Sequence, residues 1–415
     1  MSSIKAGLLD GLRVIEISSF VAAPLGGLTL AQLGAEVIRI DPVGGAADRG
    51  RWPRSANGSS LYWAGLNKGK RSIEIDFTSR RGQGLIHELL QESGDQGGIL
   101  LSNAVRRPWL QDDRLRKLRP DLIHVLIQGT NDGSPAVDYT VNAAFGFPMM
   151  TGPSCISGPI NHVLPAWDIA CGLYAAVAIL AADRRRRQSG EGEYLTIALY
   201  DVALSTVSHL GLLADAQLND IPRERIGNHL YGSFGRDFDS RDGKRVMVVA
   251  LTSRQWSQLL KMTGTTQLFL NLEILLGCDF QSESDRYQYR EACAALLAPW
   301  FEGRSHLEIE EGLRQTSILW STYRTIHELV TLHNLDLQSH PMMSETSQLG
   351  VSDYWSSATP IDQHCNGKRI SVQAASVPGG DTDSILKSLK IKKGKSKAGE
   401  CESHHIGAEG ERHGH

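Results

Sequence analysis

The pattern of apolar and polar positions predicts a mixed α/β chain that opens with a parallel β-α-β unit. Two short runs rich in β-branched residues, residues 12–17 (LRVIEI) and 36–40 (EVIRI), flank residues 21–33, whose apolar positions recur at helical spacing. Further strand-like runs occupy residues 99–101 and 121–127. Because strands alternate with helical segments in this part of the chain, we expect a parallel sheet with helices packed on it.

One helix is apolar on every side. It begins near Ile169, continues through the string AAVAILAA, and is followed by four consecutive arginines. A helix with apolar residues all around is buried. Asp168 stands at its start, and aspartate is one of the preferred N-cap residues. Asp168 is therefore either a capping carboxylate alone, or a cap that also serves as a nucleophile in a dry site. The residues alone leave both interpretations open.

The second half of the chain predicts a smaller domain and then a return to the first. Residues 210–225 have the pattern of a connector, Asp242-Gly243 followed by KRVMVVAL predicts a hairpin strand, and residues 255–324 show mostly helical spacing. The last segment is polar, rich in lysine and glycine, and typical of disorder. We expect a large domain in residues 1–215, a small domain in 226–330, a return to the large domain in 331–386, and a disordered tail in 387–415.

Composition narrows the class of protein. The 415 residues are 41% hydrophobic and 21% charged, with a net charge of -3. This near-neutral balance gives no footprint for nucleic acid or for an anionic membrane surface. The chain shows neither an uninterrupted apolar run of about eighteen residues nor a signal-peptide core, so we expect a cytoplasmic protein without a membrane partner. The six cysteines are scattered, and neither they nor the histidines near the C-terminus have metal-ligand spacing.

Several motifs resemble those of the family III CoA-transferases. PAWDIACGLYAA is similar to the segment in which an aspartate before a buried Ala/Gly-rich helix is the nucleophile, and GEGEYLTIALYD is similar to the strand and turn that follow it. Near the N-terminus, AAP followed by LAQLGAEVIRID resembles another signature of the family. The resemblance covers residues 9–386. It implies a Rossmann-like large domain, a smaller α+β domain, and two chains interlocked as a homodimer.

The resemblance also implies a chemistry. Asp168 would attack the thioester carbonyl of an acyl-CoA and form a mixed anhydride, and then an aspartyl-CoA thioester. The CoA thioester is the substrate, and neither a metal nor a redox cofactor is needed. Stretches such as FVAAPLGG, YWAGLNKGKRSI and LYGSFGRDF are most similar to members that move CoA between the two carboxyl groups of mesaconate. We therefore expect an isomerase that acts by intramolecular CoA transfer.

The family motifs also suggest which residues contact CoA. By this resemblance Arg39 matches the basic residue that contacts the adenosine-phosphate end of CoA. The element NKGKRSIEID resembles one that touches CoA, and the turn SNAVRRP resembles one that lines the CoA channel. Without the family, the same charges are ordinary solvated side chains of loops and strand ends. The candidates are Arg39, Lys68, Lys70, Arg71, Asn103 and Arg106.

Substrate and lid residues are implied less directly. Ala22 and Tyr139 fall in matching segments near the proposed nucleophile. A glycine loop that covers the intermediate in relatives keeps only Gly232 and Gly235 here, beside Arg236, and the backbone N–H groups of this loop are candidate oxyanion donors. The residue that holds the second carboxylate of a diacid is left open among Arg54, His162 and Arg236.

Three other functions remain as alternatives. An intermolecular CoA-transferase would act on another dicarboxylic acid. A racemase of α-methylacyl-CoA would need the histidine of a G-H-D motif, whereas this chain has Ala136-Val137-Asp138 at the comparable place, so one of two acid/base partners is missing. In a non-catalytic CoA or nucleotide binder, Asp168 would only cap its helix.

Overall fold

A parallel sheet forms the centre of the fold. The computed structural model describes residues 7–332, 334–362 and 372–391. The sheet has the order β3-β2-β1-β4-β5-β6, and all neighbouring strands are parallel, so the predicted opening unit is confirmed. The strands of the described residues are β1 Arg13–Ile17, β2 Glu36–Pro42, β3 Arg71–Ile75, β4 Ile99–Ser102, β5 Ile123–Gln128, β6 Glu193–Ala198, β7 Phe234–Asp239, β8 Arg245–Ala250, β9 Leu319–Thr322, β10 Met343–Gln348 and β11 Ser352–Ser357.

Helices cover both faces of this sheet and are more numerous than strands among the described residues of the second half of the chain. In chain order they are α1 Ala22–Gln32, α2 Leu61–Leu66, α3 Arg80–Gln91, α4 Asp112–Leu118, α5 Asp138–Ala144, α6 Phe147–Met150, α7 Ala166–Ser189, α8 Leu199–His209, α9 Leu212–Asn219, α10 Ser253–Thr263, α11 Thr266–Leu276, α12 Glu283–Gln288, α13 Arg290–Glu302, α14 His306–Arg314, α15 Ile326–Thr331, α16 Asn334–Ser339 and α17 Thr382–Ser388. A short 3-10 helix, Pro108–Leu110, precedes α4.

The two faces of the central sheet carry separate hydrophobic cores, because side chains alternate along each strand. In β4, Ile99 and Leu101 enter one core and Leu100 enters the other. The first core contains residues of α1, α7 and α8, and the second contains residues of α3, α4 and α17. Strands buried on both faces read as nearly continuous apolar runs, which is why the sequence marks them clearly.

A smaller α+β part has its own core. Strands β7, β8 and β9 form an antiparallel sheet, and helices α10, α11, α13 and α14 pack against it. Phe234 and Phe238 of β7 are buried in this core, where Phe238 stacks on Phe301 with the ring centroids 4.2 Å apart. The predicted mixture of helices and a hairpin is confirmed, and the domain limits at residues 226 and 330 remain predictions.

The C-terminal part packs against the start of the chain. Lys68 donates hydrogen bonds to Ser356 and to the carbonyl of Ser357 in β11, and Asp381 accepts one from the backbone N–H of Ser72 in β3. The predicted start of the tail at residue 387 is too early, because Leu389 is buried and Ile391 packs against the second core. The remainder of that predicted tail, residues 392–415, lies outside the described residues.

Helices α1 and α7 cross very closely in the first core. A Cβ atom at Gly172 would lie 2.6 Å from the carbonyl oxygen of Ala22, and one at Gly26 would lie 3.0 Å from the carbonyl oxygen of Gly172. Only glycine permits this approach at position 172, and a Cβ atom at position 26 would make a contact tighter than an ordinary van der Waals contact. By length and composition alone α7 could cross a membrane, but its place beside α1 and under the sheet is that of a core helix.

Candidate active site

A large cavity opens at the carboxyl ends of the parallel strands. Its volume is about 890 Å³, and its walls come from the segments that follow β1, β4 and β5, together with the start of α7. The strand order reverses between β1 and β4, and open α/β sheets bind ligands at such a point. The fold therefore places a binding site here before any side chain is considered.

Asp168 lies in the wall of this cavity. It occupies the first turn of α7, whose N-cap position is held by Pro165. The prediction that Asp168 caps the helix is therefore wrong. Gly172 lies one turn further along, so the close crossing of α7 with α1 fixes Asp168 beside Val21 and Ala22, which line the same cavity.

The capping carboxylate is Asp138, thirty residues earlier in the chain. One of its oxygens accepts hydrogen bonds from the backbone N–H groups of Trp167, at 2.8 Å, and of Asp168, at 3.1 Å. Asp138 is buried at the start of α5 and also lines the cavity. Because Asp138 satisfies the helix N-terminus, the carboxylate of Asp168 does not have to serve as the cap.

The environment makes Asp168 unusually basic. Burial, helped by the negative charge of Asp138, raises the pKa of Asp168 to about 7, and the nearby guanidinium of Arg51 opposes part of this rise. A carboxyl group with this pKa is about half ionised at neutral pH, and its ionised form is poorly solvated. It is therefore equipped to act as a nucleophile or a base.

The loop after β1 is held in a strained conformation at the cavity wall. Phe20 has a φ of 67°, in the left-handed region that a bulky residue rarely adopts. Asn103 bonds both the N–H and the carbonyl of Ser19, and Asp48 accepts a hydrogen bond from the N–H of Phe20 at 3.0 Å. Asn103 lines the cavity, and its hydrogen bonds to Ser19 hold this loop, whereas its predicted contact with CoA stays a prediction.

Arg51 and Tyr62 are cavity residues that the sequence did not single out. The guanidinium of Arg51 lies 5.3 Å from the centroids of both the Phe20 and the Tyr62 rings. Burial raises the pKa of Tyr62 to about 12, so its hydroxyl is neutral and can donate a hydrogen bond. The sequence has two arginines in this segment, Arg51 and Arg54, and it does not indicate which of them lines the cavity.

Of the predicted CoA-contacting cations, four already have partners within the protein. Arg39 is buried and bonds Asp41, Asp48 and Asn67, and Lys70 is buried and bonds Glu16 and the carbonyl of Pro24. Lys68 is tied to β11, as described above, and Arg71 pairs with Glu36. None of these four cations lines the cavity, and in this structure their contacts are structural.

The other predicted residues divide into two groups. Ala22, Tyr139, Asn103 and Arg106 line the cavity together with Asp168. The supposed lid residues do not. Gly235 and Arg236 belong to the core strand β7, Gly232 precedes it, and Arg236 is paired with Glu291. The lid and oxyanion prediction for this segment therefore finds no support in the cavity of a single chain.

Two of the residues left open as carboxylate clamps also have other partners. The guanidinium of Arg54 donates to the carbonyl of Gly50, and the ring of His162 bonds Asn142. Neither lines the cavity. Within residues 7–332, 334–362 and 372–391, the structure shows no group of three or more histidine, cysteine or acidic side chains placed to hold a metal ion.

Comparison with known proteins gives a consistent result. The sequence pattern of CoA-transferase family III matches residues 9–371. The 2-methylfumaryl-CoA isomerase of Chloroflexus aurantiacus is 48% identical over 92% of this chain and 93% of its own. The succinyl-CoA:mesaconate CoA-transferase of Haloarcula hispanica is 26% identical over 74% of this chain and 78% of its own.

Solved structures share the fold. A CaiB/BaiF family protein from Brucella suis superposes with a TM-score of 0.75 at 22% identity, over 93% of this chain and all of its own. A protein from Mycobacterium tuberculosis gives a TM-score of 0.73 at 21% identity, over 92% and 99% of the two chains. At this level of identity the likeness establishes the fold alone.

The role of Asp138 can be tested with an isosteric change. Asp138→Asn keeps an oxygen that can cap α7 and removes the negative charge, so we expect the pKa of Asp168 to fall from about 7 toward its ordinary value while stability changes little. Asp138→Ala removes the cap as well and should cost about 1 kcal/mol of folding free energy. The measurement is a pH titration of carboxyl-carbon NMR signals, with Asp168→Asn used for assignment. An unchanged Asp168 midpoint in Asp138→Asn would contradict the electrostatic role.

Proposed function

Because the chain belongs to CoA-transferase family III, we propose that it moves CoA between the two carboxyl groups of mesaconate, interconverting 2-methylfumaryl-CoA and 3-methylfumaryl-CoA. The observation that carries the proposal is Asp168, whose carboxylate has a raised pKa, does not cap its helix, and lines a cavity large enough for the acyl end of an acyl-CoA. The isomerase from Chloroflexus, matched over nearly the full length of both chains, supports the choice of substrate.

The proposed reaction begins at the thioester carbonyl carbon. A carboxylate oxygen of Asp168 attacks it, the carbon–sulfur bond breaks, and CoA leaves as a thiolate, which produces a mixed anhydride of Asp168 and the diacid. The thiolate then attacks the side-chain carbonyl carbon of Asp168 in the anhydride. This step releases the diacid as a free carboxylate and leaves an aspartyl-CoA thioester.

The second half repeats these steps from the other end of the diacid. Its other carboxylate attacks the aspartyl-CoA thioester, expels the thiolate, and forms a new anhydride with Asp168. The thiolate attacks the substrate carbonyl of this anhydride, which restores the Asp168 carboxylate and yields the isomeric thioester. No net proton or electron is exchanged, so the reaction needs one nucleophile and a site that keeps water away from two anhydrides.

Asp168→Asn tests the nucleophile. We expect a folded protein whose isomerase rate falls by several orders of magnitude, because a covalent route is lost. The aspartyl-CoA adduct, sought by mass spectrometry after rapid quenching of the substrate-treated protein, should be present before the change and absent after it. Asp113→Asn, at an exposed aspartate in the first turn of α4 and outside the cavity, is the matched control and should keep the wild-type rate. Retention of more than a few per cent of the rate by Asp168→Asn would remove Asp168 from the mechanism.

An exchange experiment separates the isomerase from an intermolecular transferase. If the diacid stays bound, its second carboxylate attacks at an effective concentration far above that of any free acid. Unlabelled 2-methylfumaryl-CoA turned over with excess isotope-labelled mesaconate should then give a product almost free of label, and added succinate should give no new CoA ester. Rapid incorporation of the labelled acid would return the protein to the intermolecular CoA-transferases.

We also propose a homodimer. The side of α7 away from its core exposes Leu173, Tyr174 and Val177, with Val177 61% exposed, and the neighbouring α8 exposes Leu204. A contiguous apolar face on the central helix of a domain is typical of a subunit interface. The interlocking of two chains stays a prediction from the family resemblance, and the cytoplasmic location stays a prediction from the sequence pattern.

Val177→Glu should weaken the dimer, because it places a charge in a surface that the partner would desolvate. Light scattering after size exclusion should show a shift toward monomer at micromolar concentration. Val330→Glu, on α15, is a control of the same residue type with 52% exposure. A dimer unaffected by Val177→Glu would show that this face is not the interface.

A further inference from the structure

The cavity contains a cation that has no carboxylate partner among the described residues. Arg51 lines the cavity together with Asp168 and contacts the faces of Phe20 and Tyr62, and none of the described residues forms an ion pair with its guanidinium. Aromatic faces attract a guanidinium without neutralising it, and its forked donors match a carboxylate. Arg51 is therefore ready to receive an anion.

We propose that Arg51 binds the free carboxylate of the acyl group and so selects dicarboxylic acyl-CoA substrates. This inference rests on the proposed function, because only a diacid keeps a second carboxylate while its first is joined to CoA or to Asp168. In each thioester isomer one carboxylate is free, and a guanidinium near Asp168 can bind either one when the diacid presents its other end. A charge-assisted forked contact is the strongest that such a group can form.

The surroundings of Arg51 favour it over the other cations. Arg106 also lines the cavity, but it follows β4, and Arg51 is the cation whose charge acts on Asp168. A group that influences the nucleophile electrostatically is close enough to meet the far end of a short acyl chain attached there. Arg236 is excluded because its guanidinium pairs with Glu291 outside the cavity.

The backbone at Arg51 is fixed from two sides. Its N–H donates to the carbonyl of Asp48 at 3.1 Å, and its carbonyl accepts a hydrogen bond from the Ser60 hydroxyl at 2.6 Å. Ser60 is also the N-cap of α2, the helix that carries Tyr62. These hydrogen bonds connect the Arg51 loop to α2 and thereby to Tyr62. Because the guanidinium is already restrained, it loses less conformational entropy when it binds a ligand.

Binding measured in the Asp168→Asn background tests the proposal without turnover. The probes are 2-methylfumaryl-CoA and crotonyl-CoA, which lacks the second carboxylate, and the method is titration calorimetry. Arg51→Gln should weaken binding of 2-methylfumaryl-CoA by about ten- to hundredfold and leave binding of crotonyl-CoA within about twofold. Arg51→Lys should recover part of the loss. Arg54→Gln is the matched control at a neighbouring arginine outside the cavity and should bind both probes normally.

The outcomes separate this proposal from the proposed function. Equal weakening of both probes by Arg51→Gln would show a structural role and overturn the proposal, and so would unchanged binding of the diacid thioester. If the unaltered enzyme fails to isomerise 2-methylfumaryl-CoA but its preference for the diacid thioester still depends on Arg51, the reaction is wrong and the carboxylate site stands. If isomerisation occurs and Arg51→Gln retains the full preference, the reaction stands and the site is refuted.

Discussion

The site depends on one interaction, in which a single carboxylate oxygen of Asp138 accepts hydrogen bonds from two backbone N–H groups of α7. It satisfies the start of α7, which otherwise would leave donors unpaired next to a cavity. It also places a second negative charge near Asp168 and thereby contributes to its raised pKa. The Asp138 carboxylate thus stabilises the helix, and the Asp168 carboxylate does not have to cap it. Since α7 is locked against α1 at Gly172, the position of the Asp168 carboxylate is fixed by the hydrophobic core.

A second network supports the loop after β1, which lines the same cavity. Arg39 is buried among acidic side chains and bonds Asp48, and Asp48 also holds the N–H of Phe20 in its left-handed conformation. The ring of Phe20 in turn contacts the guanidinium of Arg51. Charged groups in a protein interior need such partners, because an unpaired buried ion costs several kcal/mol. Arg39 is therefore a positioning residue that acts on the cavity through Asp48 and Phe20.

The sequence predicts what depends on local pattern and misses what depends on tertiary contact. The strands of the parallel sheet and the apolar helix that contains Asp168 in its first turn are visible because period and neighbours reveal them. The capping residue was assigned wrongly, since Asp138 reaches α7 across thirty residues and no spacing rule links the two. The family motifs predict that Arg39 and Lys70 contact CoA. In the structure Arg39 bonds Asp41 and Asp48, and Lys70 bonds Glu16, and no sequence pattern reveals these pairings. Family motifs identify a position without telling whether its side chain touches the ligand or the protein.

The charges of the cavity explain why an arginine is needed there. Asp138 and Asp168 are both acidic and line the same cavity, so the cavity repels anions, and a mono-thioester of a diacid brings a further negative charge into it on its free carboxylate. Burial around Asp168 weakens the screening of that repulsion, and a cation in the cavity offsets it when the substrate approaches. Arg51 is near enough to moderate the basicity of Asp168 and, having no carboxylate partner among the described residues, still offers its charge to a ligand. A monocarboxylic thioester would leave that cation unpaired in the filled site. The arrangement of charges that sets the pKa of Asp168 is therefore consistent with the proposed dicarboxylic substrate.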